Sequence, residues 1–350
     1  MKLDGMFIAG VGAYVPDSVS TEEAVAAGWY DADEAAASGW TGAAVAGDLP
    51  APDMAVIAAR QALARSGHEP GEVAIVLHGS SIGFQGPDVW PVQSYIQRRT
   101  IGGEAPALEV RQACNATLAA MELASAYLGS AAQPAAMITA ADNFGHAQFD
   151  RWRYAAGAGN NRLTIVGDAG CSVILSKRQG FARLLAINSR SVPDLEEMYR
   201  SGVDLFPPEP TLGGPCRPGQ RWAHYRGQHP EAFEAAKLML SEARATLGKR
   251  TLSDAGVTPE QITRAAHVFA GGQRYITSVL APIGIDPARG MLEFGRGVGH
   301  LAACDQIVAL DHLLTTHAVG PGDHVMLLSN GGGSLMCAIL EILTVPSWIA

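Results

Sequence analysis

No cluster of lysine or arginine occurs in this sequence, and its net charge is −9. Polyanionic partners need a basic footprint, which argues against nucleic acid and anionic membrane surfaces. Lysine itself is scarce, four residues against 21 arginines, a bias that fits a high-G+C genome and says little about function. Cysteine is sparse too. The five residues at 114, 171, 216, 304 and 337 are odd in number and lack CxxC spacing, which speaks against a disulfide framework or a zinc site and leaves no metal expected. Charged residues make up only 17% against 48% hydrophobic, the balance of a compact globule with a sizeable core. Yet no apolar run approaches the length that spans a bilayer. The opening Met1-Lys2-Leu3-Asp4-Gly5 has no long apolar stretch ahead of a small-residue cleavage site, so a cytoplasmic location is expected. A length of 350 residues suits two domains or one duplicated unit.

What is present centres on Leu108-Glu109-Val110-Arg111-Gln112-Ala113-Cys114-Asn115-Ala116-Thr117, continuing into Leu118-Ala119-Ala120-Met121-Glu122-Leu123-Ala124. A short apolar run, a break and a lone cysteine lead into a helix of small and aliphatic residues. A helix apolar on nearly every face belongs inside a protein. Its first turn leaves N–H groups unpaired and carries the positive end of the helix dipole, a setting that favours a thiolate. The stretch reads as a buried helix aiming a nucleophile from its N-terminus, although Cys114 could also be a small core residue.

Taken in order, Met6 to Pro16 reads as a strand ending in a glycine-bearing turn, and Thr21-Glu22-Glu23 as a helix start. Residues 37–50 read as loop, Asp53 to Ser66 as an amphipathic helix, and Val73 to Gly79 as a buried strand. Pro91 to Gln97 gives a helix and Ala135 to Ala141 a strand. Leu163 to Leu175 reads as strand, glycine turn, strand. From Phe181 the pattern begins again: a strand to Ser189, a helix from Pro230 to Leu247, a strand from Ala265 to Ala270 and a helix from Arg274 to Ile283.

The halves, 1–180 and 181–350, echo each other. Leu108-Glu109-Val110, break, Cys114, apolar helix is matched by Leu292-Glu293-Phe294, break, His300, apolar helix. Each half closes on a glycine-turn hairpin, the second being Val325 to Leu340 around Gly331-Gly332-Gly333. Strands alternating with helices imply parallel sheets covered by helical layers. Duplication would set two buried helices side by side, one headed by Cys114 and the other by His300. A thiol and an imidazole delivered to one point form a nucleophile and its base.

These residues resemble the thiolase superfamily, and within it the β-ketoacyl carrier-protein synthase III-like enzymes, over essentially the full length. The shared marks are Gly10-Val11-Gly12-Ala13-Tyr14-Val15-Pro16, Ala113-Cys114-Asn115-Ala116, Val166-Gly167-Asp168-Ala169-Gly170 and Asn330-Gly331-Gly332-Gly333. The resemblance implies a duplicated five-layered αβαβα fold and a homodimer. It also implies an acyl-thioester intermediate on Cys114, with an oxyanion hole from the N–H groups of Cys114 and Gly332. No cofactor is expected beyond the thioester substrate, acyl-coenzyme A or acyl carrier protein.

Two departures stand out. Condensing members carry a histidine where this chain has Phe269, and an asparagine where it has His300. A phenyl ring cannot donate a hydrogen bond to an enolate oxygen, and loss of such a donor commonly costs on the order of 100-fold or more in rate. Decarboxylative condensation should therefore be poor. The segment Gly299 to Gln306 looks like that of relatives in antibiotic pathways, several of which move an acyl group onto a sugar, an amine or another carrier. The expected activity is transfer from Cys114 to a hydroxyl, amine or carrier acceptor. The alternatives are a ketosynthase that primes a polyketide chain with malonyl-carrier protein, and an inactive partner of another ketosynthase. His300, with an unperturbed pKa near 6.5, suits the base, and either Asp305 or Asn330 could orient it. Arg274 would lie at the substrate tunnel's mouth, able to pair with phosphates, and Phe84 would reach a neighbouring subunit's acyl pocket. The loop-rich stretch 202–229 could shape the acceptor pocket.

Overall fold

The computed structural model describes residues 1–81, 85–154, 165–209, 213 and 216–349. Its strands are β1 (Phe7–Tyr14), β2 (Ser18–Ser20), β3 (Gly42–Ala44), β4 (Val73–Ser80), β5 (Ala107–Arg111) and β6 (Ala135–Asp142). They continue with β7 (Ala169–Ser176), β8 (Ala182–Ser191), β9 (Ile262–Ala266), β10 (His324–Gly331) and β11 (Ser334–Ile342). β2 and β3 pair alone, and the other nine form one ladder in the order β5-β4-β6-β7-β1-β8-β11-β10-β9. Every residue of β4, β6 and β7 is buried, as strands covered on both faces require.

The ladder has a seam. β1 meets β8 through Phe7 opposite Arg183 and Ile8 opposite Ala182. Read outward from it, β1, β7, β6 and β4 match β8, β11, β10 and β9, and the pairing senses agree. β6 is antiparallel to β7 and parallel to β4, while β10 is antiparallel to β11 and parallel to β9.

Helices complete the layers. Ala51–Ser66 covers β1, β6 and β7, and Pro230–Ala255 covers β8 and β11. The first sits flush because glycine allows it: a Cβ on Gly12 would fall 2.0 Å from the Ala58 carbonyl oxygen. Between the two sets of strands run Ala116–Leu128 and Asp305–Thr315, each touching strands of both halves. Ala116, Ala120 and Ala124, spaced by four, are wholly buried along one face of the former. The result is the thiolase-like α/β architecture, helix, sheet, helix pair, sheet, helix.

Several local expectations fail. Leu292–Val298 is a helix, not the echo of β5. Short apolar runs do not distinguish strand from helix, and here Gly295 lets the segment pack on the Phe269 ring, 3.0 Å from where its Cβ would lie. The first hairpin is β6–β7, joined by the long connection 143–168. Of the strand expected at its start, Leu163 and Thr164 lie outside the described residues, and Val166 makes only an isolated bridge to His300. Residues 218–228 of the supposed loop are helical, started by Pro218 in its first turn. The strand expected from Ala265 begins three residues earlier and ends at Ala266, where the helix Gln273–Leu280 and its approach take over.

Candidate active site

β5 delivers the chain to Gln112, and a single 3-10 turn, Ala113–Asn115, turns it into the helix Ala116–Leu128. Ala113 makes the bend in the left-handed region, at φ 48°, a conformation that costs a non-glycine residue roughly 1–2 kcal/mol. The second half repeats the device. Ala302, at φ 53°, opens the 3-10 turn Ala302–Cys304 before Asp305–Thr315. Aligning the two bends pairs Cys114 with Ala303, Asn115 with Cys304 and Ala116 with Asp305.

His300 is therefore not the counterpart of Cys114. It lies two residues ahead of the second bend, in a parallel bridge with Val166. Its N–H donates to Ile165 O at 3.0 Å, and its carbonyl accepts from Gly167 N at 3.0 Å. The connection 143–168, not a helix terminus, holds the imidazole's backbone.

Even so, the two side chains meet. Cys114 Sγ lies 3.0 Å from His300 Nε2, and His300 Nδ1 lies 2.6 Å from Asp305 Oδ2. Asp305 is fully buried and His300 is 5% exposed. The carboxylate also accepts from Leu301 N at 2.7 Å and from Phe269 N at 2.8 Å. Those two donors fix its plane, and it in turn fixes the imidazole, the arrangement by which a third group orients a base. Burial opposes a charge on His300. The Asp305 carboxylate and the Cys114 sulfur outweigh it, raising the imidazole well above its ordinary value. Such an imidazole readily carries the thiol's proton.

The hairpin β10–β11 closes over this point. Its Gly331–Ser334 rung is spanned by Gly332 and Gly333, at φ 56° and 76°. Positive φ at both central residues makes a tight two-residue hairpin turn. It presses on Cys114: a Cβ on Gly331 would sit 3.1 Å from Cys114 N. Ser329 Oγ donates to Cys114 O at 2.7 Å, and Gln112 Nε2 donates to Ser334 Oγ at 2.5 Å.

The remaining expected residues fall into different places. Asn330 hydrogen-bonds neither His300 nor Cys114 among the described residues but accepts from the Tyr275 hydroxyl at 2.8 Å. Asp305, not Asn330, touches the imidazole. The Phe269 ring is 1% exposed and packs edge-on against Phe294, and its N–H donates to Asp305. Arg274 is exposed on the first turn of Gln273–Leu280, one residue from Tyr275. Phe84 lies outside the described residues.

The sequence reading overlooked several contributors. Asp168 is wholly buried and accepts from Phe144 N, Ala46 N and Arg151 Nη2 at 2.7–2.9 Å. It thereby pins the connection that holds His300, and its place in the Gly167-Asp168-Ala169 turn was the available signal. Burial, reinforced by the charges of Cys114 and Cys216, pushes the Tyr154 hydroxyl far up and keeps it a neutral phenol, its ring packed against Phe144 and Phe149. His267, the other imidazole of this region, is buried and accepts from Met291 N at 3.0 Å through Nε2. Burial keeps it neutral and structural.

Residues 252–342 match the family described as 3-oxoacyl-[acyl-carrier-protein (ACP)] synthase III, C terminal. The chain is 40% identical to the solved structure of ChlB3, named as an acyltransferase, with a TM-score of 0.90 over 98% of this chain and 99% of that one. This chain belongs to the β-ketoacyl synthase III-like family of the thiolase superfamily. The β-ketoacyl-[acyl-carrier-protein] synthase III of Chlamydia caviae is 23% identical over 290 residues, 80% of this chain and 78% of its own. The priming β-ketosynthase of the R1128 polyketide pathway shares the fold at a TM-score of 0.75 and 18% identity, covering 97% of each chain. The proteins this chain is similar to thus carry the names of an acyltransferase and of β-ketoacyl synthases. No helix among the described residues is long and apolar enough to cross a membrane.

Proposed function

We propose that this family member is an acyltransferase working through an acyl-Cys114 intermediate, passing the acyl group to an oxygen or nitrogen nucleophile or another carrier without decarboxylative condensation. One observation carries the reading. Cys114 has an imidazole at 3.0 Å, backed by a buried carboxylate at 2.6 Å, while the chain has Phe269, its ring buried against Phe294, where a second donor would be needed. A condensing site needs two side-chain donors at an enolate oxygen; here the second position offers a buried phenyl ring. The ChlB3 name points the same way.

His300 takes the Cys114 proton, and the sulfur attacks the donor's thioester carbonyl. The oxyanion accepts hydrogen bonds from the N–H groups of Cys114 and Gly332. Collapse breaks the donor's C–S bond, and His300 returns the proton to the departing thiol. Now neutral, His300 removes the proton of the acceptor hydroxyl or amine, which attacks the acyl-Cys114 carbonyl. A second collapse expels the Cys114 thiolate, and the proton on His300 restores the resting pair. Arg274, exposed beside the site, would pair with a phosphate of coenzyme A or of a carrier arm. A homodimer and a cytoplasmic location belong to the same reading.

Incubation with a panel of acyl-coenzyme A and acyl-carrier thioesters should add the acyl mass to wild type and none to Cys114→Ala, read by intact-protein mass spectrometry. Mass on Cys114→Ala would sink the mechanism, and no mass from any donor would favour an inactive partner subunit. Carbon dioxide released from malonyl thioester at a rate matching transfer would favour the priming ketosynthase.

A further inference from the structure

The residue after the nucleophile has no part in the chemistry above, yet it is fully buried and polar. Asn115 is 0% exposed. Its Nδ2 donates to Gly331 O at 2.9 Å and to Ser334 O at 2.9 Å, with Ser334 Oγ at 3.2 Å. Gly331 and Ser334 form the last rung of β10–β11, directly beneath Gly332 and Gly333. The amide thus holds both legs of the turn at once. Its Oδ1 is buried without a partner among the described residues. A buried amide whose oxygen is left unpaired costs free energy, so the group is kept for its two N–H donors.

The second half supplies the control. Cys304 occupies the equivalent position there and points to Ala140 O at 3.4 Å and Ala169 O at 3.7 Å, on the first half's hairpin. That long weak thiol contact suffices where no chemistry occurs. The stronger, two-pronged clamp occurs where the turn must present an N–H to a reacting carbonyl.

We propose that Asn115 is a positioning residue that fixes Gly332 N–H against Cys114, and so sets the geometry of the oxyanion hole; this rests on the acyl-Cys114 reading. The two reactions of the thiol separate this role from a structural one. Acylation by a thioester passes through an oxyanion, whereas alkylation by iodoacetamide is a direct displacement at carbon that makes none. In Asn115→Ala, kcat for acyl loading should fall about 10- to 100-fold with little change in KM, while the alkylation rate at Cys114 stays within about twofold. Asn115→Ser, whose hydroxyl can reach one carbonyl, should recover part of the loss and stands in if Asn115→Ala fails to fold. Cys304→Ala should leave both rates unchanged. Equal loss of alkylation and acylation would reduce Asn115 to a structural role, and unchanged acylation would overturn the proposal outright. A wild type that alkylates but accepts no acyl group would instead sink the reading beneath it.

Discussion

The two hairpins that face the buried helix pair are built alike and end differently. β6–β7 opens into the connection 143–168, whereas β10–β11 closes in two glycines. In each, the residue after the nucleophile position of the opposite helix points at the hairpin's mouth: Cys304 at one, Asn115 at the other. The tight turn can hold an N–H rigidly beside Cys114. Just before β7, Ile165 and Gly167 grip the His300 backbone. The two halves are matching scaffolds, and the site uses the places where they differ. Ala303 and Ala116, the partners of Cys114 and Asp305, carry no chemistry.

The largest effect should come from removing the charge that makes the second half reactive. Asp305→Asn lowers acyl transfer on the order of 100-fold or more, measured by single-turnover release from preloaded enzyme. The Asp305 carboxylate raises the His300 pKa against the penalty of burial. Its loss lowers that pKa, so the alkaline limb at which His300 gives up its proton moves to lower pH in the loading profile. An unmoved limb would remove Asp305 from that role. The contrast between the hairpins sharpens with Gly333→Ala, which forces a side chain into φ 76°. It should destabilise the fold by about 1–2 kcal/mol, read from urea melts.

A gradual effect belongs to the first half. His78 on β4 is wholly buried and bonded to Thr139 Oγ1 at 2.9 Å. Burial, against a weaker opposing contact with Gln85, pushes its pKa from 6.5 down to about 4. Between those values the unfolded chain binds more protons than the folded one. Stability is therefore full above about 6.5 and declines as pH falls toward 4, by about 1.4 kcal/mol per unit. His78→Gln should flatten that slope, whatever its effect at neutral pH; an unchanged slope would assign the acid sensitivity elsewhere.

Much of this site is legible in the sequence, for local reasons. A lone cysteine ahead of an all-apolar helix marks Cys114, and the repeated strand–helix pattern marks the second half. The register between the halves is not legible. A three-residue offset leaves the apolar pattern intact, so His300 reads as the mate of Cys114 when that place belongs to Ala303. What holds His300 comes from residues 165–167, far away in sequence, and no local pattern announces it. Asp305 and Asn330 stand equal on spacing alone. The bend at Ala302 brings the carboxylate back to the imidazole, while Tyr275 draws Asn330 aside. Leu292–Val298 fails as a strand because only its packing on Phe269 decides between two readings of the same short run.

Cys114 and His300 each hang from a backbone that the opposite half holds. Ser329 of the second half binds the Cys114 carbonyl, and Ile165 and Gly167 of the first bind both polar groups of His300. A half released from its partner would lose the alignment of the very residue it contributes. A chain of one half's length could work only as a pair of identical chains, each lending the other its grip. In such a pair every position exists twice, and a thiol cannot be kept at one copy while its twin drifts to alanine. A single chain that carries both halves is free of that constraint, and in it Cys114 stands opposite Ala303.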